Sequence, residues 1–255
     1  MVTFKSEKIK MQSAFIMILV FAAAVFPGCI NKPAVWGNPG DAKKEFLGKD
    51  YDKIVIELDY ESNTDPDSDA LALLCQRLKD VCQKEVKIVI SNKIIDSKTS
   101  YSYNEICTIE SEYRDYHNQY IDFEKSVFYA YVLYLNGTYS ESDRVIGLAY
   151  SADSFCIFQE NIKNNVNQAG LRPTASDVEK SVVVHEFGHL LNLVSRGQDP
   201  AYKYKEDSEH PHHSENKNSV MYWAVDTTDV IGAFLNGGTP NNFDESDRQE
   251  MDTYR

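Results

Sequence analysis

The chain has little positive charge and no apolar run long enough to cross a membrane comfortably, and both shortages exclude classes of protein. It carries 26 lysines and arginines against 39 aspartates and glutamates, for a formal net charge of -13. That balance argues against nucleic acid or anionic lipid headgroups as partners. The apolar run at 14–26 is too short for a membrane span. With 42% hydrophobic and 25% charged residues over 255 positions, the composition is that of an ordinary globular chain.

The sequence also lacks the cysteine spacing of a metal site and the acidic spacing of a calcium-binding loop. No cysteine has metal-ligand spacing, and the acidic stretch at 61–69 lacks the spacing of an EF-hand, which favours a solvated loop. Cys75 and Cys82 fall in one predicted helix, where their backbones would lie roughly 10 Å apart, too far for a disulfide. Pairing of either with Cys107 or Cys156 remains open.

Residues 1–28 are predicted to be a signal peptide of the lipoprotein type. Lysines at the start of the chain precede the apolar run at 14–26, which has the length of a signal core. The run ends at Gly28-Cys29, which resembles the bacterial lipobox, although the two residues before it, Phe-Pro, depart from the usual pattern. The alternative is an ordinary signal peptide with an incidental cysteine.

This leader predicts where the protein resides. A lipid on Cys29 would anchor the chain to a membrane without spanning it. Residues 29–49 are rich in Pro, Gly, Asn and Lys, and they are predicted to form a tether. We therefore expect an exported, membrane-anchored lipoprotein of the bacterial cell envelope, facing the periplasm or the outer surface, with its folded domain over 50–255.

Hydrophobic periodicity predicts an α+β domain with a mixed, twisted sheet of four to five strands. The first strand, helix and strand form a βαβ unit, and Asn136-Gly137 is a strong hairpin signal. The predicted strands are 53–60, 86–91, 127–135, 144–150 and 154–159. The predicted helices are 68–84, 101–117, the segment that contains 181–193, and a short closing helix after Asp244.

The segment 181–193 carries the strongest chemical signal of the chain, His185-Glu186-x-x-His189. On a helix this spacing puts two imidazoles on one face, one turn apart, with a carboxylate beside them. Such a pair is typical of a zinc site, and the alternative is a buried helix with two incidental histidines. Ser176 and Glu179 predict a capping box at the start of this helix.

The apolar residues of the same helix favour the zinc interpretation. Phe187, Leu190, Leu191 and Val194 recur at helical spacing and predict a stripe that packs under the sheet. The two histidines point away from the centre of that stripe. We therefore expect them to face a cleft.

A catalytic zinc site needs a third protein ligand and an open position for water. The polar segment after the helix supplies three candidate histidines, His210, His212 and His213. Glu206 and Glu209 are the candidates if the site follows the gluzincin arrangement, in which a glutamate on a later helix is the third ligand.

The spacing after His213 resembles a known family. His213, Ser214, Ser219 and Met221 match the H-C-x4-C-x-M register that follows HExxHxxGxxH in archaemetzincins, a branch of the metzincin zinc peptidases. Here both cysteines are serines, Asn192 stands in place of the glycine, and an insertion precedes the third histidine. Asn tolerates the left-handed conformation that such a glycine adopts.

This resemblance implies a metzincin-like fold and one catalytic Zn²⁺ held by His185, His189 and His213. The active-site helix would end an upper subdomain at about 50–192. A small, irregular lower subdomain at about 193–255 would contain the Met-turn at Met221.

The resemblance also implies a mechanism, in which Glu186 is the general base for a membrane-anchored metallopeptidase, most simply an endopeptidase acting on peptide or protein substrates. Tyr222 is a candidate for oxyanion stabilisation. An edge strand would pair with the substrate backbone, and its candidate residues are Gly147, Leu148, Ala149 and Tyr150. The alternative is a catalytically weak binding or adhesion lipoprotein that retains a structural zinc.

Overall fold

The structure is a computed structural model that describes residues 36–95, 97–118, 126–166, 173–235 and 237–254. The predicted signal peptide at 1–28 and the predicted lipidation site Cys29 lie outside these ranges. In the described ranges, no helix is both long and apolar enough to cross a bilayer.

A five-stranded mixed sheet forms the centre of the molecule, which confirms the predicted sheet of four to five strands. Its order is β2-β1-β4-β7-β6, with β6 antiparallel to β7 and the other neighbours parallel. Residues 54–59 of β1 are all buried, because both faces of the sheet are covered. The strands are β1 Lys53–Glu61, β2 Glu85–Ile94, β4 Val127–Leu135, β6 Gly147–Ala149 and β7 Ser154–Phe158.

The helices lie close to their predicted places, with some boundaries moved. The predicted helix at 101–117 narrows to α3, because Ser102 caps it with a capping box and Tyr101 joins a strand. The closing helix begins after Asp244, whose side chain caps it. The helices are α1 Lys43–Leu47, α2 Ser68–Cys82, α3 Tyr103–Tyr113, α4 Gln159–Val166, α5 Ala175–Leu190, α6 Asp229–Ala233 and α7 Glu245–Asp252.

The hairpin predicted at Asn136-Gly137 does not form. The chain leaves the central sheet there and enters β5 (Thr138–Tyr139), which pairs in parallel with β3 (Ser100–Tyr101) in a separate two-stranded sheet. The backbone N–H of Asn136 donates to the Glu61 carboxylate at 2.5 Å instead of closing a turn. A contact distant in sequence therefore outweighs the local turn signal.

Part of the predicted tether is folded onto the domain. Within 29–49, residues 43–47 form α1, and Phe46 is fully buried. Its ring packs edge-on against Phe128 of β4 and Phe187 of α5, with ring centroids 4.8 and 5.0 Å away. Two buried aromatic contacts give this segment a fixed place, so the folded domain begins before residue 50.

The helix α5 crosses the middle of the fold. It is capped by Thr174 and Asp177, two residues earlier than the predicted Ser176 and Glu179 pair. Glu179 instead accepts hydrogen bonds from the Asp67 backbone and the Gln159 side chain. Because the sheet covers one side of α5 and other helices cover the rest, the helix is buried on nearly all faces and not only along the predicted stripe.

Among the described residues, the cysteines at 75, 82, 107 and 156 form no disulfide bond with one another. The disulfide pairings that the sequence left open are therefore not formed in this structure.

Candidate active site

The structure brings three of the histidines together with one carboxylate. His185 and His189 project from α5, and His213 reaches them from the loop that precedes Met221. Their potential ligand atoms and one from Asp226 all lie within 4.8 Å of one another. His185 Nε2 and His189 Nε2 are 3.0 Å apart. We call these four residues the histidine cluster.

Backbone carbonyls fix the protonation of two of these rings. His185 Nδ1 donates to the Val220 carbonyl oxygen at 2.6 Å, and His213 Nδ1 donates to the Pro211 carbonyl oxygen at 2.9 Å. The proton on Nδ1 leaves Nε2 as a lone-pair donor in each neutral ring. Both Nε2 atoms face the cluster, which is the arrangement that metal-binding histidines require.

Burial keeps the α5 histidines neutral. It lowers the pKa of His185 to about 4, against an opposing effect of Asp226, and it lowers the pKa of His189 well below its usual value. Burial also acts to lower the pKa of His213, but the adjacent Asp226 carboxylate outweighs it and raises that pKa. Neutral imidazole is the form that binds a metal ion.

The end of α5 turns the chain back toward the cluster. Asn192 has a φ of 51°, the left-handed conformation expected for the residue that replaces glycine. The Leu193 N–H donates to the Gly188 carbonyl at 3.1 Å and the Asn192 N–H donates to the His189 carbonyl at 2.9 Å. Together these bonds form a Schellman motif, which ends the helix directly after its second histidine.

Two glycines allow close packing around the histidines. A Cβ on Gly188 would lie 2.2 Å from Met221 Sδ, so the methionine packs directly against the backbone of α5. A Cβ on Gly147 would lie 2.4 Å from Glu186 Oε1 and 2.6 Å from Val182 Cγ1. The edge strand β6 therefore approaches Glu186 as closely as it does only because residue 147 has no side chain.

Glu186 is buried beside the histidine cluster, and its carboxyl keeps a proton to a higher pH than an exposed glutamate does. Burial, followed by the charge of Asp226, raises the pKa of its carboxyl well above the usual value. Its Oε1 has no hydrogen-bond partner. A buried carboxyl with a raised pKa and a free oxygen is the type of group that serves as a general base or acid.

Asp226 is the member of the cluster that sequence reasoning missed. It ends a 3-10 helix, Trp223–Asp226, and no motif links it to the histidines. Its Oδ2 lies 3.5 Å from His213 Nε2 and 4.0 Å from His185 Nε2. The only signal in the sequence was an aspartate shortly after Met221, which by itself predicts nothing.

The cluster has the donor chemistry of a metal site. Seven buried side-chain nitrogen or oxygen atoms in the described residues lack a hydrogen-bond partner, and three of them are Glu186 Oε1, His213 Nε2 and Asp226 Oδ1. Buried polar atoms without partners are costly, so their concentration here indicates a missing ligand. Nitrogen and oxygen donors at this spacing fit Zn²⁺.

The cluster opens into a cleft of about 360 Å³. Gly147, Leu148 and Ala149 of β6 form one wall. Tyr150, the fourth predicted edge residue, is buried in a separate hydrophobic cluster. Tyr222, the predicted oxyanion residue, packs in the main core against Phe234 and does not line the cleft.

The other candidate third ligands lie outside the cluster. His210 stacks on Trp223 with ring centroids 4.2 Å apart, and His212 is exposed at the rim of the cleft. Glu206 Oε1 accepts from the His212 backbone N–H at 2.6 Å, and Glu209 is exposed. Among the four alternatives, none joins the group of donor atoms around His185.

A second buried cluster holds the loop that carries His213. We call it the arginine cluster: Arg196, Asp247 and Glu250, with both carboxylates within 3.0 Å of Arg196 Nη1. Ser219 donates to Asp247 at 2.6 Å. The Ser214 N–H, next to His213, donates to the Met221 carbonyl at 2.8 Å. These bonds brace the loop without a cysteine pair.

Glu250 also stabilises the chain reversal after α5. Its carboxylate accepts from the backbone N–H groups of Val194 and Ser195 at 3.0 and 3.1 Å. Val194 has a φ of 60°, which is unfavourable for a β-branched residue. The hydrogen bonds to Glu250 therefore hold the backbone in a strained turn between the histidine helix and the rest of the site.

No protein-family model and no curated protein matches this chain. Solved structures that resemble part of this chain include the following three. A zinc-dependent peptidase from Methanocorpusculum labreanum is 16% identical with a TM-score of 0.47, over 77% of this chain and 99% of that one. An archaemetzincin from Archaeoglobus fulgidus, complexed with malonate, is 14% identical with a TM-score of 0.41, over 78% and 99%. An archaemetzincin from Methanopyrus kandleri is 10% identical with a TM-score of 0.49, over 81% and 97%. These similarities are weak and do not by themselves assign an activity to this chain.

Proposed function

We propose that this chain is a zinc-dependent peptidase whose metal is held by His185, His189 and His213. The observation that carries the proposal is the convergence of three imidazoles beside a buried glutamate whose Oε1 has no hydrogen-bond partner. A purely structural metal site has no need of that glutamate. When bound, zinc would supply a Lewis acid that polarises a peptide carbonyl and lowers the pKa of a water molecule.

The protein groups would divide the remaining work. Glu186, which lines the cleft, would take a proton from the attacking water and return it to the leaving amine. The carbonyls of Val220 and Pro211 would keep the two histidine rings in the orientation and tautomer that present Nε2. The edge strand β6 would pair with an extended substrate backbone, and this favours cleavage within a chain over removal of its end residues.

The decisive experiment compares wild type with Glu186→Gln. Gln fits the same space and leaves the zinc ligands intact, but it cannot accept a proton at neutral pH. We expect about one equivalent of zinc in both proteins, measured by atomic absorption. Peptide hydrolysis should fall by roughly 10²- to 10⁴-fold in the variant, because a general base contributes about that much to the rate.

The ligand assignment is tested by three separate alanine variants. His213→Ala should lose zinc, whereas His210→Ala and His212→Ala should retain it and serve as matched controls from the same loop.

Equal hydrolysis by Glu186→Gln would refute the catalytic role of that residue. Unchanged zinc content in His213→Ala would refute the ligand set.

A second candidate function, a zinc-containing binding or adhesion protein without significant catalysis, is favoured by Asp226. A carboxylate beside three histidines completes a four-donor set, and four protein ligands are typical of structural zinc. Absence of hydrolysis by zinc-loaded wild type across a mixed peptide library would favour this candidate.

We propose in addition that the protein is exported and anchored through a lipid on Cys29. Support comes from the sequence of the leader, with its lysines, its apolar run and Gly28-Cys29. The test is the mass and detergent partitioning of the mature protein. Cys29→Ser should abolish both the acyl mass and the partitioning, and an unmodified wild-type protein would contradict the proposal.

A further inference from the structure

Asp226 has the surroundings of a metal ligand and lacks those of a structural carboxylate. Its Oδ2 lies between 3.5 and 4.0 Å from the Nε2 atoms of His213 and His185. Its Oδ1 is buried and has no hydrogen-bond partner. In the described part of the chain, the ion pairs of Asp226 involve these two histidines and no lysine or arginine.

The spacing of the donor atoms fits a single ion. Two ligands of a tetrahedral zinc, each about 2.0–2.1 Å from the metal, lie roughly 3.3 Å apart. The separation of His185 Nε2 and His189 Nε2 is 3.0 Å, and that of Asp226 Oδ2 and His213 Nε2 is 3.5 Å. The carboxylate therefore lies near the distance of a fourth ligand from His213 Nε2, while His185 Nε2 is 4.0 Å away.

We propose that Asp226 is a fourth, displaceable protein ligand that closes the metal site in the absence of substrate. The inference rests on zinc binding by the three histidines, which is part of the proposed function. With four protein donors, water or a peptide carbonyl gains access to the metal only after the carboxylate moves. Among the described residues, the ion pairs of its Oδ2 reach only the two histidines, and its Oδ1 has no hydrogen-bond partner.

The backbone around Asp226 connects this ligand to the substrate cleft. The Asp226 carbonyl accepts a hydrogen bond from the Ile146 N–H at 2.9 Å, and the next residue, Thr227, forms an isolated bridge with Val145. Ile146 directly precedes β6, the edge strand that lines the cleft. A substrate chain bound along β6 would therefore contact the segment that is hydrogen-bonded to the Asp226 backbone. Substrate binding could in this way displace the Asp226 carboxylate and open the metal site.

The test measures metal binding and coordination and does not depend on activity. Wild type and Asp226→Asn are titrated with Zn²⁺ against a chromophoric chelator, and their Co²⁺ forms are compared by visible absorption. Loss of a direct ligand should weaken Zn²⁺ binding by at least about 10- to 100-fold, the range found for supporting residues alone. The Co²⁺ bands should change in position and intensity, because water replaces the carboxylate.

Control variants separate the possible outcomes. Asp229→Asn, three residues away in a partly exposed ion pair with Arg144, should match wild type in affinity and spectrum. Asp226→Glu, which keeps a carboxylate, should recover part of the affinity. Circular dichroism of each metal-free variant checks folding.

Wild-type affinity and an unchanged Co²⁺ spectrum in Asp226→Asn would overturn the inference while zinc binding by the histidines stands. Absence of Zn²⁺ binding in wild type, or full binding in His213→Ala, would instead overturn the proposed ligand set.

Discussion

The arginine cluster is buried, whereas only His185 of the histidine cluster is fully buried. Both clusters contact the loop from His213 to Met221, yet their polar atoms are satisfied differently. In the described residues, the buried side-chain atoms of Arg196, Asp247 and Glu250 all have partners. Around the histidines, three buried nitrogen or oxygen atoms have none. A full set of partners indicates a scaffold, whereas missing partners indicate a place for a ligand.

The contrast also explains how the loop can be held without cysteines. Buried ion pairs gain little net stability, but each partner becomes expensive to remove once the other is buried. The arginine cluster therefore fixes the loop geometry, because any other loop conformation would leave a buried charge without its partner. The histidine cluster, placed by that geometry, can leave its own donor atoms free for a metal.

The largest effect is expected from breaking the arginine cluster. Arg196→Ala leaves Asp247 and Glu250 buried without their cation, which should lower the free energy of unfolding by about 3–5 kcal/mol. Urea denaturation of the zinc-free proteins measures this loss. Arg144→Ala, which removes an exposed ion pair with Asp229, is the matched control and should cost at most about 1 kcal/mol. Similar losses in the two variants would remove the distinction between scaffold and surface pairs.

An intermediate effect is expected from filling the space beside Glu186. Gly147→Ala places a Cβ 2.4 Å from Glu186 Oε1, and both groups belong to packed elements. Overpacking of this kind should cost about 1–3 kcal/mol of stability, measured by thermal unfolding. The control is Gly232→Ala in α6, where no atom lies within 4 Å, and it should be neutral or stabilising by up to about 1 kcal/mol. A neutral Gly147→Ala would show that β6 can move away from the site.

The last effect is a change in pH dependence. Because burial and Asp226 raise the pKa of Glu186, the zinc-free folded protein keeps this proton at pH values where the unfolded chain has lost it. The stabilising contribution is complete below the ordinary glutamate pKa and is lost as pH rises, by at most about 1.4 kcal/mol per pH unit. Gln cannot ionise, so Glu186→Gln should gain stability relative to wild type between about pH 5 and 8.

Denaturation curves across that pH range check the Glu186 prediction. The pKa values of His185 and His189 are lowered, so these residues favour the folded state at higher pH. Their effect is present in both proteins and largely cancels in the difference. Glu209→Gln, at an exposed position, should follow the wild-type curve. Parallel curves for wild type and Glu186→Gln would show that the carboxyl ionises equally in both states.

Much of the fold could be predicted because strands and helices follow local periodicity. Alternating apolar residues located β1, and the stripe along α2 located that helix within two residues of its end. The predictions failed where contacts between residues distant in sequence determine the local structure. Asn136-Gly137 has the composition of a hairpin turn, but its backbone bonds Glu61, and residues 43–47 have the composition of a tether but supply Phe46 to the core.

The sequence by itself determined that His185, Glu186 and His189 share one helix, because helical periodicity is a local property of the sequence. It also determined the left-handed turn at Asn192, through a conformation that few residues tolerate. Only the tertiary structure decided which of the three downstream histidines faces that helix, and that Asp226 lies beside it. The reason is physical: a loop is placed by the groups that hold it, here Arg196, Asp247 and Glu250, and their arrangement is not a periodic property of the sequence.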